Sequence, residues 1–153
     1  CKLAREVQNK VLKQILEDGD EKKSFEYVKK IINKIKNREV SIEELIIRTQ
    51  LKKSISEYKA ISPHVIAAKK MKEQKIPIED GGLIEYYIAE PTNGEKRKLV
   101  RDRVKLPEEK GEYDIEYYLK NQILPAVENI FQVFNLNITE IIEGKKQMTL
   151  GDF

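Results

Sequence analysis

The sequence has no tryptophan, one cysteine (Cys1) and one histidine (His64) among its 153 residues. A lone cysteine excludes an internal disulfide and fits a reducing compartment. A lone imidazole excludes metal sites built on His clusters and leaves no Ser/His/Asp arrangement of substance. No apolar run approaches the ~20 residues that a membrane-crossing helix needs. The opening 16 residues are charged throughout, unlike a secretory signal. A phosphate loop is missing as well, because Asp80-Gly81-Gly82 is followed neither by Lys-Ser/Thr nor by a helix start. Carboxylates are plentiful, but none sits at the end of an apolar strand, where a two-metal site would be expected. Glu79-Asp80 reads most simply as a solvated loop. Together these absences argue against a self-sufficient enzyme. The start at Cys1 rather than Met leaves three readings open: a fragment boundary, a processed natural subunit, or the downstream half of a spliced protein, whose junction needs a Cys, Ser or Thr nucleophile.

What is present is charge. Hydrophobic residues make up 40% and charged residues 36%, enough apolar content for one core beneath a densely charged surface. The net charge of +3 hides an asymmetry. Between residues 46 and 75 eight basic residues (Arg48, Lys52, Lys53, Lys59, Lys69, Lys70, Lys72, Lys75) stand against Glu57 and Glu73, and between 93 and 105 six stand against two. The remainder is therefore net acidic. Positive charge concentrated in mid-chain attracts a polyanion, although a lysine-rich solvated surface gives the same count.

The periodicity predicts an α+β fold that is mainly α. Leu3, Val7, Val11, Leu12, Ile15 and Leu16 form a helical stripe over residues 2–18. Asp18-Gly19-Asp20 ends that helix and starts the next. Phe25, Val28, Ile31, Ile32 and Ile35 repeat the pattern over 21–37, with lysines opposite, and the short turn implies an antiparallel pair. Ser41 and Glu44 read as a capping box opening a brief turn. Alternation of Ile47, Thr49 and Leu51 predicts a short strand, and Ser62-Pro63 predicts a helix to about residue 74. Ile84, Tyr86 and Ile88 alternate as a second strand. The Asn93-Gly94 turn suggests a return strand over 97–104. Asp114 caps a long helix over 115–135, with a kink or break near residue 121 because Pro125 removes a backbone donor. A short helix over 138–143 precedes a tail too polar to fold alone.

The stretch from Gln50 to Lys75 interleaves lysines and hydroxyls with Tyr58 and His64 at a loop-to-helix junction. A helix start offers amides to phosphate, Lys52, Lys53 and Lys59 add cations, and Tyr58 adds a stacking or hydroxyl contact. Base-specific readout would call for Arg, Asn or Gln on a groove-entering helix. The residues therefore suggest sequence-independent backbone binding. The bland alternatives are a capped-turn histidine and a half-buried tyrosine ring.

Within this stretch SEYKAISPHVIAAKKM (56–71) resembles the thumb motif of family B DNA polymerases, Y-K-A-x-x-P-H-V with a basic helix after it. The opening CKLAREVQNKVLKQIL looks like the segment that follows the palm in that family, and YDIEYYLKNQILPAV (113–127) is similar to its near-C-terminal helix. The three motifs occur in the family's order. The resemblance implies a thumb domain over 1–143 that wraps the primer–template duplex through sugar-phosphate and minor-groove contacts. It implies that the catalytic aspartates and their two Mg ions belong to a palm ahead of Cys1, so that this chain holds no catalytic residue and no cofactor of its own. The matching DNA-binding positions are Gln50, Lys52, Lys53, Tyr58, Lys59 and His64, with Arg103 in an Arg-Asp-Arg loop. PTNGEKRKLVRDR is more basic and less regular than the family pattern. The tail, 144–153, fits the sliding-clamp pattern Q-x-x-aliphatic-x-x-aromatic, with Gln147, Leu150 and Phe153 as anchors. The family usually adds a second large residue after that aromatic. The lack of a cysteine-rich module points to the archaeal type, cytoplasmic and nucleoid-associated. The partners implied are duplex DNA, the palm and a sliding clamp, with no membrane. The alternative from another class is a free-standing helical nucleic-acid-binding adaptor.

Overall fold

Helical periodicity at the start of the chain becomes two helices in the computed structural model, which describes residues 1–78, 81–92 and 99–134. Helix α1 (Lys2–Leu16) buries Leu3, Val7, Val11 and Ile15, and helix α2 (Glu21–Lys36) buries Phe25, Val28, Ile31, Ile32 and Ile35. Between them Gly19 takes a left-handed conformation (φ 61°), which glycine adopts without a Cβ penalty. The Asp20 side chain then accepts the Lys23 amide at 2.9 Å and caps α2. Lys10 stands over the Tyr27 ring, 5.9 Å from its centroid. The two residues lie about equally far from the turn, as an antiparallel pair requires. One residue departs from the expected stripe: Leu16 is 69% exposed, because α1 ends there, and buried Gln14 takes the inward position instead.

The chain divides into two compact units, Cys1–Lys2 with Ser41–Tyr118, and Leu3–Val40 with the described residues from Leu119 onward. The second unit is helical. Its later part is a π-helical turn (Leu119–Ile123) followed by helix α6 (Leu124–Val133). The break expected near residue 121 takes this form. Pro125 cannot donate to the preceding turn, and a wider turn absorbs the missing bond. Phe131 stacks on Phe25 with centroids 4.9 Å apart, and both rings are buried.

The first unit carries a three-stranded antiparallel sheet ordered β1-β2-β3, from β1 (Ile47–Gln50), β2 (Leu83–Ile88) and β3 (Val104–Lys105). Ile47 pairs with Tyr86 and Gln50 with Leu83. A one-turn helix α3 (Ile42–Leu45) leads into β1. Ser41 precedes it, but its side chain makes no capping bond, so the expected box is not formed there. It forms instead at Ser54 and Glu57, around the 3₁₀ turn Ile55–Glu57. Helix α4 (Pro63–Glu73) packs Val65, Ala67 and Ala68 inward. Of the expected return strand over 97–104, residues 97–98 lie outside the described residues, Val100–Arg103 coil into a 3₁₀ turn, and Val104 opens the two-residue β3.

Helix α5 (Ile115–Tyr118) closes the far end of β2. The Ala89 amide donates toward β3, to the Arg103 carbonyl at 2.9 Å, so the Ile88 amide faces the other edge. There β1 has ended, and the Tyr118 hydroxyl accepts that amide at 3.1 Å while the Ile88 carbonyl accepts the Asp114 amide at 3.0 Å. The bond satisfies a backbone donor that would otherwise be buried unpaired. Burial pushes the Tyr118 hydroxyl far above the ordinary tyrosine value. The Glu79-Asp80 loop, the Asn93-Gly94 turn, the 138–143 helix and the tail lie outside the described residues.

Replacing Phe131 with Ala removes the fully buried half of the ring stack and should cost about 3–5 kcal/mol, whereas Val133→Ala, at a position 80% exposed, should stay within about 0.5 kcal/mol. Denaturant unfolding of both variants checks the contrast, and equal losses would refute this packing.

Candidate nucleic-acid interface

Lys52, Lys53 and Lys59 lie on the loop between β1 and α4, and all three are exposed. The loop is not slack. The Tyr58 hydroxyl accepts the Lys52 amide at 3.0 Å, and the Ser54 amide donates to Glu57 Oε2 at 3.0 Å. Lys53 Nζ sits 4.8 Å from the Tyr58 ring centroid, within cation–π range. The His64 ring meets the same tyrosine edge-on, centroids 5.4 Å apart at 83°. Tyr58 and His64 are both half-buried. The structure thus brings Lys52, Lys53, Tyr58 and His64 together, and Lys59 follows Tyr58 directly in the chain. Among the described residues no carboxylate lies within ion-pair distance of the three lysines.

Ser62 precedes α4 with extended backbone and Pro63 opens the helix, as the sequence predicts. The serine hydroxyl does not cap the helix. It pairs with His64 Nδ1 at 2.9 Å, which leaves Nε2 as the other polar atom of the ring. Burial holds the His64 imidazole below its ordinary value, which favours the uncharged ring. The helix start offers fewer amides than expected: Val65 and Ile66 both donate to the Ser62 carbonyl at 3.1 Å, and Pro63 has none to offer.

Gln50 ends β1, and its Nε2 donates to the Gly81 carbonyl at 3.1 Å. It is exposed but tied to the turn before β2. Arg103 lies apart from the lysines. Its side chain is only 12% exposed and is ion-paired with Asp114, and it also donates to the Ala89 carbonyl at 3.2 Å. Asp114 accepts the Tyr117 amide at 3.0 Å, so one carboxylate caps α5 and anchors the guanidinium. The clamp anchors Gln147, Leu150 and Phe153 lie outside the described residues.

Two of the eight mid-chain cations are structural, which their sequence positions did not reveal. Arg48 pairs across the strands with Glu85 at 2.7 Å. Lys70 reaches Glu109 at 2.8 Å and also donates to the Val104 carbonyl at 2.8 Å, tying α4 to β3. Gln74 adds a third contact to Glu109 at 3.1 Å. The capping box at Ser54 carries a signal in the sequence, S-I-S-E, the same S-x-x-E pattern as at Ser41. Among the described residues no three His, Cys, Asp or Glu side chains stand together as metal ligands.

A family model described as DNA polymerase family B matches residues 1–134. The chain is 36% identical over 153 residues to a DNA polymerase of Thermococcus aggregans, covering 97% of this chain and 8% of that protein. It is 35% identical over 153 residues to a DNA polymerase of Methanocaldococcus jannaschii, covering 99% of this chain and 9% of that one. Its structure is similar to that of the family B DNA polymerase from Pyrobaculum calidifontis, with TM-score 0.70 and 29% identity over 87% of this chain and 18% of that chain. The chain therefore spans less than a fifth of each of these relatives.

Burial alone would raise the Glu109 carboxyl, but the hydrogen bonds from Lys70 and Gln74 and the charge of Lys70 outweigh it, and the pKa lies below the ordinary value. A depressed folded-state pKa contributes stability above the unfolded value of roughly 4.3 and loses it as pH falls through the folded pKa. Unfolding titrations should show this acid-side loss in the native chain and a flatter profile in Glu109→Gln. Identical profiles would count against the pairing.

Proposed function

Because the chain belongs to DNA polymerase family B, we propose that it is the thumb portion of such an enzyme, over residues 1–143, gripping the primer–template duplex through sequence-independent backbone contacts. The observation that carries this reading is the junction built on Tyr58. Lys52, Lys53 and Lys59 stand exposed there, without a carboxylate partner among the described residues, and the His64 ring packs on Tyr58. Exposed unpaired cations on an ordered loop suit phosphates, whose contacts fix position and carry no sequence information. Tyr58 shapes the loop. Gln50 borders the junction at the end of β1, and Arg103 is proposed as a further DNA contact from its place beside Asp114, at the start of α5. Nucleotide addition belongs to a palm with two Mg ions, which this portion would accompany.

We further propose that the tail, 144–153, tethers the enzyme to a sliding clamp. Leu150 and Phe153 would fill an apolar pocket and Gln147 would hydrogen-bond beside it, a small set of anchors carrying most of the affinity. The spacing of these residues supports the reading.

Replacing Lys52, Lys53 and Lys59 with Ala should flatten the salt dependence of duplex binding by roughly 0.9 per lost phosphate contact on a log–log plot; an unchanged slope refutes the grip. Leu150→Ala with Phe153→Ala should abolish binding to a purified clamp and leave duplex affinity intact, and retained clamp binding refutes the tether.

A further inference from the structure

Behind the lysine loop lies a groove of about 700 Å³ within the first unit, between the 3₁₀ turn and the C-terminal half of α4. Its size falls in the ~300–1,000 Å³ range of clefts that take small molecules or short segments. The floor is apolar: Ile55, Ile76 and Ile78 line it with the Tyr58 ring. Lys69 and Lys72, a helical turn apart on α4 and both exposed, line it as well. So do Ser54 and Ser56, whose hydroxyls are 3.2 Å apart. Glu73 is the single carboxylate among the lining residues, and neither lysine has a described carboxylate within ion-pair distance.

We infer that this groove holds a short stretch of single-stranded DNA, its unpaired bases against the apolar floor and its phosphates on Lys69 and Lys72. A duplex offers the protein phosphates but keeps its base faces stacked, so an apolar floor gains nothing from it. Unpaired bases expose those faces, and a cationic track beside an aromatic and aliphatic platform is the combination that retains them. The lining contains no Arg, Asn or Gln, the side chains that most often read bases, so the groove takes any sequence. The inference goes beyond the duplex grip, with which it shares only Tyr58.

The test compares two ligands by fluorescence anisotropy on the full chain: a labelled oligothymidylate of about a dozen nucleotides, sized to exceed one site, and a blunt hairpin duplex. Lys69→Ala with Lys72→Ala, and separately Ile76→Asp, should weaken oligothymidylate binding roughly tenfold or more while duplex binding changes less than about twofold. The lysine pair should also lower the single-strand salt slope by roughly 0.7 per lost contact. Unchanged oligothymidylate affinity in the lysine pair overturns the inference. An equal loss for both ligands overturns it too, because the groove would then be part of a general cationic surface. If Ile76→Asp fails to fold, the exposed lysine pair decides. The Lys52, Lys53, Lys59 variant is the control: if it leaves duplex binding untouched, the grip fails while the groove stands on its own result.

Discussion

The Tyr58 side chain fixes the shape of the loop that carries Lys52 and Lys53, the lysines of the proposed grip. Its hydroxyl accepts the Lys52 amide, its ring underlies Lys53 and it packs against His64 in a T-shaped contact. A lysine-bearing loop without such a pin would sample many shapes, and each phosphate contact would then cost the entropy of ordering it. With the pin in place the cations are displayed before a ligand arrives, which is the general route to affinity without added contacts. The Ser54–Glu57 box reinforces the pin by satisfying two backbone donors inside the same loop.

Around the loop the structure divides its charges by burial. Lys70 and Arg103 are drawn inward, where each meets a carboxylate and a backbone carbonyl, and they hold α4 and α5 to the sheet. Half-buried pairs of this kind define geometry more than they add stability, and removing one partner strands the other. The cations left outside, Lys52, Lys53, Lys59, Lys69 and Lys72, have no such duty. Of these, Lys53 stands over the Tyr58 ring, and Lys69 and Lys72 line the groove with apolar side chains. Net charge alone could not separate these two populations, since both contribute equally to it.

Much of the fold was legible in the sequence because burial enforces period. The stripes of α1 and α2, the alternation in β1 and β2, the helix after Ser62-Pro63 and the disturbance caused by Pro125 all follow from local rules. Local rules failed where two options were nearly equal. Ser41 and Ser54 both head an S-x-x-E pattern, and only the second closes its box. In place of strand, Val100–Arg103 form a 3₁₀ turn, from whose end Arg103 reaches Asp114, a partner 11 positions away in sequence. At the candidate site the residue types were legible and their division of labour was not. Nothing near Lys70 in the sequence announces Glu109, 39 positions on. The groove beside Lys69 and Lys72 exists only once residues 51–58 and 76–78 are folded against α4.

A chain of 17.9 kDa suits residue-by-residue solution mapping. Amide shifts recorded by NMR on titration with two duplexes of unrelated sequence test the central claim most directly. Both duplexes should perturb the same amides, centred on residues 50–64, and the perturbations should fade together as salt is raised. Perturbations that avoid this loop, or that move to different residues when the base sequence changes, would contradict a backbone grip built on Tyr58 and its lysines.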